Sequence, residues 1–309
     1  MGDRSRSSEL GDFLQACRAR VSPEDVGLPT YGERRRVAGL RREELALLAG
    51  VSASYYTRLE QGQSRNASPQ VLDAIANALN LSPAERQHLY ALVDAAGRGR
   101  ATRRPPVEHA DPALLELLMA LGDVPAIIMG RRSDVLAWNP MGHALLAGHV
   151  DPESPAQPAR RPNMTEIVFT DPHCRDLYGN WKAKAEAVVG NLRLVAGLHP
   201  DDPALESLIG RLVLSSPDFS SMWADQKVQA CATAHYNLHH PLVGDLTVTQ
   251  QTLRSIQTPD QTLVTCTASP GSPSAEALAL LSHLTTETRT TDPERVRPFV
   301  ARPRDSPRG

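Results

Sequence analysis

The segment SASYYTR at 52–58 brings short side chains, hydroxyl groups and one guanidinium group close together. Hydroxyl and guanidinium groups bind phosphates and the edges of bases, and short side chains let a helix lie deep in the major groove of DNA. On a helix, the outer face of this segment presents Ala53, Ser54, Thr57 and Arg58. We therefore predict that the segment contacts double-stranded DNA. The candidate DNA-binding residues are Arg42, Ser52, Ala53, Ser54, Tyr55, Thr57, Arg58 and Arg65.

The residues before and within this segment have the spacing that a helix-turn-helix requires. Ala46 is small enough to let two helices approach, and Gly50 tolerates the positive φ of a tight turn between them. Ser52 can cap the second helix, and Tyr56 and Leu59 supply its buried apolar side chains. An ordinary helical hairpin is the alternative, but the complete set of residues favours a helix-turn-helix that binds DNA.

Three further helices are predicted around this motif. Apolar residues recur at helical spacing over 10–17, after a possible N-cap at Ser8. Ser68 and Ser82 are each followed by proline, which is the pattern of a capped helix start. Glu85 lies where it can complete a capping box with Ser82. The sequence thus predicts an all-α five-helix domain.

Positive charge is concentrated in the first third of the chain. Residues 1–104 hold 16 arginines against 12 acidic residues, whereas the remainder holds 17 basic and 23 acidic residues. The first part is therefore the better candidate to meet a polyanion. Three adjacent arginines at 34–36 precede the helix-turn-helix, and they either contact phosphates or form a solvated loop.

The second half of the chain mixes helical and strand patterns. Short apolar runs at 125–129 and 134–138 are separated by a hairpin signal at 130–133, and 245–249 and 263–267 are also typical of strands. An α+β domain is therefore expected behind the all-α domain. The predicted divisions are a DNA-binding domain at 5–97, a linker at 98–110, a second domain at 111–285 and a disordered tail at 286–309.

A few aromatic side chains of the second domain are candidates for a ligand site. They either pack the core or form the wall of a pocket, since pockets favour aromatic residues with a few polar groups. The candidate ligand-binding residues are Trp138, Asn139, Tyr178 and Trp181.

Other chemically capable residues do not form a convincing site. Cys231, His235 and His239 follow at four-residue steps and would share one helix face, but no fourth metal ligand has suitable spacing. His173 and Cys174 are adjacent, yet no third group is evident that would orient them for catalysis. We predict no catalytic site, no metal and no cofactor.

The cysteines and the apolar pattern suggest the compartment. Four cysteines are scattered without a CxxC pair, as is typical of reduced thiols in the cytoplasm. The sequence holds no apolar run of about 18 residues, and the first 13 residues lack an apolar signal region. We therefore expect a cytoplasmic protein that does not enter a membrane.

The chain also resembles a known family. GLRREELALLAGVSASYYTRLEQG is similar to Xre/Cro-type helix-turn-helix regulators, and in particular to the MmyB-like group. Further motifs of that group follow in family order: DVLAWN at 134–139, FTDP at 169–172, LYGNW at 177–181, HPDDP at 199–203, SSPDFSSMW at 215–223, HPLVGDLTV at 240–248 and PGSPSAEAL at 270–278. The resemblance implies a PAS-like ligand-binding domain behind the DNA-binding domain, with a ligand of fatty-acyl type.

Together these observations predict a transcription regulator that binds a specific duplex, as a homodimer across two half-sites. Binding of a small apolar ligand to the second domain would shift the population that is competent for DNA. One alternative is that the PAS-like domain serves only for dimerisation or for binding another protein. An enzyme fused to a helix-turn-helix is disfavoured, because no catalytic set converges.

Overall fold

A computed structural model of the protein describes residues 2–28, 39–63, 67–97, 107–230 and 233–290. Several predicted features lie outside these ranges: the arginines at 34–36, Arg65, Cys231, most of the predicted linker and most of the predicted tail. Within the described ranges, no helix is both long and apolar enough to cross a membrane.

The N-terminal domain is helical, as predicted. Its helices are α1 (Gly2–Arg20), α2 (Arg42–Leu48), α3 (Ala53–Glu60), α4 (Pro69–Ala78) and α5 (Pro83–Gly97). They share one apolar core, in which Phe13, Leu45, Tyr56, Leu59 and Leu89 are fully buried. Helices as short as α2 and α3 are marginal alone in water, so this burial is what holds them in place.

The predicted caps of α3, α4 and α5 are confirmed. The hydroxyl groups of Ser52 and Ser68 accept hydrogen bonds from the backbone N–H three residues further on, at 3.1 and 3.4 Å. Ser82 and Glu85 form the capping box, in which the Ser82 N–H donates to Glu85 Oε2 at 2.8 Å and the Glu85 N–H donates to Ser82 Oγ at 3.3 Å. These local bonds satisfy N–H groups that a helix start leaves without an intrahelical partner.

The second domain is α+β, as predicted. Its helices are α6 (Pro112–Ala120), α7 (Pro140–Ala147), α8 (Met164–Thr170), α9 (Pro172–Leu177), α10 (Trp181–Leu198), α11 (Pro203–Ser215), α12 (Pro217–Ala224) and α13 (Pro273–Thr290). Its strands are β1 (Ala126–Met129), β2 (Val135–Trp138), β3 (Ala234–His240), β4 (Gly244–Arg254) and β5 (Thr262–Thr267). In the described residues the strands form one antiparallel sheet in the PAS-like order β2-β1-β5-β4-β3.

The two faces of this sheet are covered differently. Helix α6 packs its buried Leu118 on one face, against Ile128 and Leu263. The other face meets α7, α8 and the long helix α10 in the largest apolar cluster of the domain. A sheet covered on both faces buries more apolar surface and leaves space for a site between the layers.

Two predicted local features are wrong. Helix α1 begins at Gly2 rather than after Ser8. Residues 2–8 contain no proline, so nothing in this segment interrupts the helix. Helix α13 continues to Thr290, beyond the predicted end of the second domain at 285. His235 and His239, which would share one face if they were on a helix, lie on strand β3, which pairs with β4 along its whole length.

The two domains are joined by packing between α5 and α10. Leu194 of α10 and Val228 belong to the apolar core of the N-terminal domain. His88 of α5 is buried at this contact, and a Cβ placed on Gly197 would collide with its ring. Helix α10 is therefore part of both domains.

Candidate DNA interface and ligand cavity

The turn between α2 and α3 has the predicted geometry. Gly50 has a φ of 64°, and the N–H of Val51 donates to the carbonyl of Ala46 at 2.9 Å across the turn. A Cβ on Gly50 would meet no described atom within 4 Å. The left-handed backbone conformation, and not crowding, is thus the reason for glycine at this position.

The outer face of α3 is open to solvent. Ser52, Ala53, Ser54 and Arg58 are exposed, while Thr57 is half-buried. The hydroxyl of Thr57 donates to the carbonyl of Ala53 at 2.8 Å. Its oxygen can therefore act only as a hydrogen-bond acceptor toward DNA. Short exposed side chains with one guanidinium group at the helix surface suit an approach to base edges.

Two other candidate DNA-binding residues are less open. Tyr55 is half-buried. Arg42 is directed to Glu60, since its Nε and Nη2 donate to Glu60 Oε1 at 3.0 and 2.8 Å. Arg18 of α1 approaches the same carboxylate, with Nη2 to Oε1 at 3.1 Å and Nε to Oε2 at 3.2 Å. Glu60 thereby ties the end of α3 to both α1 and α2.

This ion-pair network gives Glu60, which the sequence analysis did not select, a structural role. Burial by itself raises the pKa of Glu60, but hydrogen bonds from Arg18 and Arg42 hold the pKa below its usual value. The side chain of Glu60 is 2% exposed, and a buried carboxylate is tolerated only when it is paired. An acidic residue between Leu59 and Gln61 was the only sequence signal for this role.

A small cavity of about 40 Å³ lies between the sheet and the helices α8 and α10. Its apolar lining consists of Ile127, Met129, Leu146, Met164, Val168, Tyr178, Val188 and Val264. Its polar lining consists of Ser133, Thr165, Lys184, Asn191, Gln250 and Thr252. One water molecule needs about 10–15 Å³ of such a cavity, so this cavity has room for only a few water molecules.

Of the predicted ligand-binding residues, Tyr178 lines the cavity and the other three do not. Trp138 Nε1 donates to the carbonyl of Pro152 at 2.8 Å, and Trp181 Nε1 donates to the carbonyl of Val168 at 2.8 Å. Both indole N–H groups are thus satisfied by backbone carbonyls and not directed to the cavity.

Asn139 has a structural task. Its Oδ1 accepts from the N–H of Gly142 at 2.7 Å, which caps α7, and from the N–H of Ala126 at 3.0 Å. Its Nδ2 donates to the carbonyls of Val124 at 2.7 Å and Gly122 at 3.3 Å. With its amide engaged at both ends and the residue 1% exposed, Asn139 is not available to a ligand.

Lys184 is the charged residue of the cavity wall, and the sequence analysis did not select it. The residue is 7% exposed, and its Nζ donates to Gln250 Oε1 at 2.9 Å. The ammonium also lies over the rings of Tyr178 and Tyr236, 5.1 and 4.7 Å from their centroids. In the sequence, Lys184 looks like an ordinary helix-surface lysine, because nothing nearby reveals that this face of α10 is buried.

The histidines of β3 and the thiol of Cys174 do not form a metal site or a nucleophilic site in the described residues. His239 Nδ1 lies 2.6 Å from Asp245 Oδ1, and His235 Nδ1 lies 3.0 Å from Thr249 Oγ1, both at the exposed face of β3 and β4. In the part of the chain that the structure describes, no group of histidine, cysteine and acidic residues has metal-binding geometry. Burial raises the pKa of Cys174 to about 12, so this thiol is protonated and a poor nucleophile at neutral pH.

A helical domain with an exposed recognition helix, followed by a PAS-like domain with an internal cavity, defines a DNA-binding regulator with a ligand-binding domain. Two family models match these parts. A helix-turn-helix domain matches residues 9–89, and the MmyB-like transcription regulator ligand binding domain matches residues 110–281. The second match covers more than half of the chain, and the protein therefore belongs to the MmyB-like transcription regulators. The comparison with curated proteins found no match.

Proposed function

We propose that the protein regulates transcription by binding a specific DNA sequence as a homodimer, with one copy of α3 in each of two adjacent major grooves. Binding of a ligand in the cavity changes the fraction of molecules whose conformation can bind DNA. That ligand is small and mainly apolar, of fatty-acyl type. The protein acts by binding and not by catalysis. We infer a cytoplasmic location, since Cys17, Cys174 and Cys266 are free, buried thiols.

The observation that carries this proposal is the double role of α10. Lys184, Val188 and Asn191 line the cavity from one face of the helix. Leu194 and Gly197, in the last turns of the same helix, meet the N-terminal domain. A shift of α10 at the cavity therefore changes its packing on α5, which connects the two sites through one rigid element.

The size of the cavity explains how a ligand would cause such a shift. An acyl chain needs far more space than about 40 Å³, so the helices must move away from the sheet to admit it. Close-packed interiors respond to an inserted group by moving whole elements, since side chains have few alternative arrangements. Helix α10 is a wall of the cavity and is thus among the elements that must move.

Ligand control is tested with operator DNA selected from a random library. Fluorescence anisotropy would measure operator affinity with and without hexanoate, decanoate and tetradecanoate. A change in affinity with at least one of these acids, accompanied by a higher melting temperature, supports ligand control. If all three leave both quantities unchanged while the protein remains a dimer, the second domain serves for dimerisation instead.

The connection through α10 is tested with a matched pair of glycine substitutions. Gly197→Ala places a methyl group against His88, whereas a Cβ on Gly210 of α11 would meet no described atom within 4 Å. We expect Gly197→Ala to change the effect of the ligand on operator affinity and Gly210→Ala to leave it unchanged. An unchanged ligand effect in Gly197→Ala would mean that α5 and α10 do not transmit the response.

A further inference from the structure

His88 lies at the contact between the two domains, where its imidazole is shut off from solvent. The residue is 3% exposed, and the ring of Phe13 from α1 packs against it edge-on, with the ring centroids 5.0 Å apart. On its other side the imidazole meets α10, because a Cβ built on Gly197 would collide with its Nδ1. This nitrogen is buried and finds no hydrogen-bond partner among the described residues. The contact thus encloses the imidazole without providing an acceptor for a proton on Nδ1.

Arg193 brings a guanidinium group to the same contact. It lies one helical turn before Gly197 on α10, so the two residues share a face of the helix. The residue is 6% exposed, and its guanidinium lies over the ring of Trp223, 3.9 Å from the centroid. Its Nη1 donates to Gln226 Oε1 and its Nη2 to the carbonyl of Trp223, both neutral acceptors. These partners hold the guanidinium in place beside the imidazole of His88.

Arg193 remains a cation in this position. Burial lowers its pKa to about 10, and the carboxylates of Glu9 and Asp12 on α1 act in the opposite direction. A group with this pKa is protonated at neutral pH. The cation belongs to the ligand-binding domain, whereas the acidic residues that favour it belong to the DNA-binding domain. Packing of the two domains therefore places a positive charge next to His88.

A second positive charge at this contact is disfavoured. Burial and then the charge of Arg193 lower the pKa of His88 to about 3. Two other titratable side chains on the surrounding helices do not offset this effect. Cys17 of α1 is a neutral thiol, since burial raises its pKa to about 11, and Glu85 of α5 is paired with Arg20 at 2.6 Å. An imidazole in water has a pKa of about 6.5, so His88 takes up a proton far more readily once the contact has opened.

We propose that His88 and Arg193 form a proton-sensitive latch between the two domains. A neutral imidazole lets α5 pack on α10, whereas an imidazole that has taken up a proton from solvent repels the guanidinium and keeps the helices apart. The open state binds the proton and the closed state does not, so acid favours opening. With an imidazole pKa of about 6.5 in water and about 3 in the contact, the ratio of open to closed molecules rises about 30-fold between pH 7.5 and pH 5. The consequence for DNA binding rests on the proposed function, but the latch itself needs neither ligand nor operator.

The test measures amide hydrogen exchange of the full chain at pH 7.5 and pH 5, without ligand or DNA and corrected for the intrinsic exchange rates. In the wild type we expect α5 and the last turns of α10 to lose up to about 30-fold in protection at pH 5, while the central strand β5 keeps its protection. His88→Phe retains a ring that cannot take up a proton, and it should show no such loss. His283→Phe, at an exposed position of α13, is the matched control and should behave like the wild type.

Each outcome has a distinct meaning. Protection that is unchanged in the wild type, or that falls equally in His88→Phe, would overturn the latch and leave ligand control of DNA binding standing. Acid-sensitive protection in a protein whose operator affinity ignores every ligand would keep the latch and remove the proposed ligand control. A second measurement needs no variant: in carbon-13 spectra of histidine-labelled wild type, the imidazole of His88 should stay neutral to a lower pH than a free imidazole. An equal or higher pKa for His88 would contradict the latch.

Discussion

The two domains each bury a charged side chain, and they treat it differently. In the DNA-binding domain, Glu60 meets two guanidinium groups, those of Arg18 and Arg42, at hydrogen-bond distance. In the ligand-binding domain, Lys184 donates to the neutral amide of Gln250 and lies over two aromatic rings. The first charge is neutralised inside a closed network, whereas the second forms part of the wall of a cavity.

This difference indicates what each domain has to do. A fully paired buried charge favours one arrangement of the helices around it, because any movement separates the charges. The recognition helix α3 is held in this way at its last residue, Glu60. A charge in a cavity wall, such as that of Lys184, borders a space that a further partner can enter. We therefore expect the DNA-binding surface to keep one arrangement and the cavity to change its shape when a ligand binds.

The largest expected effect is the loss of the closed network. Glu60→Gln leaves the buried guanidinium of Arg18 without its counter-charge, and we expect the free energy of unfolding to fall by about 3 kcal/mol in urea denaturation. Glu43→Gln, at an exposed position of α2, should change it by less than about 0.5 kcal/mol. Equal effects of the two substitutions would show that the Glu60 network does not hold the helices.

The same network predicts a dependence on pH. Because the pKa of Glu60 is lowered in the folded state, its contribution to stability is present above the usual glutamate range and is lost as pH falls through the folded pKa. Glu60→Gln should therefore flatten the loss of stability on the acidic side. A variant with the same acid dependence as wild type would mean that another carboxylate is responsible.

The next effect concerns affinity and not stability. Arg58 is exposed on α3, where a guanidinium can bind guanine with two hydrogen bonds, so Arg58→Ala should weaken operator binding by about 1–3 kcal/mol. Affinity for random DNA should fall much less, as measured by anisotropy. Equal losses on both duplexes would reassign Arg58 to a phosphate contact, and Arg58→Lys would then restore binding.

A smaller effect is expected at the turn that sets the angle of α3. Gly50→Val should lower the free energy of unfolding by about 1–2 kcal/mol, because a branched side chain is disfavoured at a φ of 64°. Gly50→Asn is the control, since asparagine visits this region more readily. Thermal denaturation that does not distinguish the two variants would show that the turn relaxes without strain.

The smallest effect on stability is expected at the second charge. Lys184→Met removes a buried ammonium but also a donor to Gln250, and these terms oppose each other, so the change should stay within about 1 kcal/mol. Calorimetric unfolding of the full chain measures it. A loss as large as that of Glu60→Gln would remove the contrast between the domains, because Lys184 would then be a structural residue.

Local features were predictable because their partners are close in the sequence. The cap of α3 joins Ser52 to an N–H three residues away, and the positive φ of Gly50 follows from the short turn. The hairpin between β1 and β2 was also expected from its turn signal. The ligand-site prediction was weaker, since only Tyr178 of its four residues lines the cavity.

Family motifs did not reveal which side chains face the cavity. Trp138 and Asn139 belong to a recognisable motif, yet the first stabilises a loop and the second caps α7. Strong sequence motifs often mark residues that hold the backbone, and these are distinct from the residues that meet a ligand. The candidate DNA-binding residues on α3 remain predictions of contact, although their exposed face has the expected composition.

The sequence by itself determined the class of each domain, the helix-turn-helix and its caps, because these depend on bonds within a few residues. The tertiary structure decided where the buried charges lie. Arg18 and Glu60 are separated by 42 positions, and Lys184 and Gln250 by 66. Such pairs meet only after the helices have packed and the strands have set their register, since burial and hydrogen bonding over that distance depend on the whole topology.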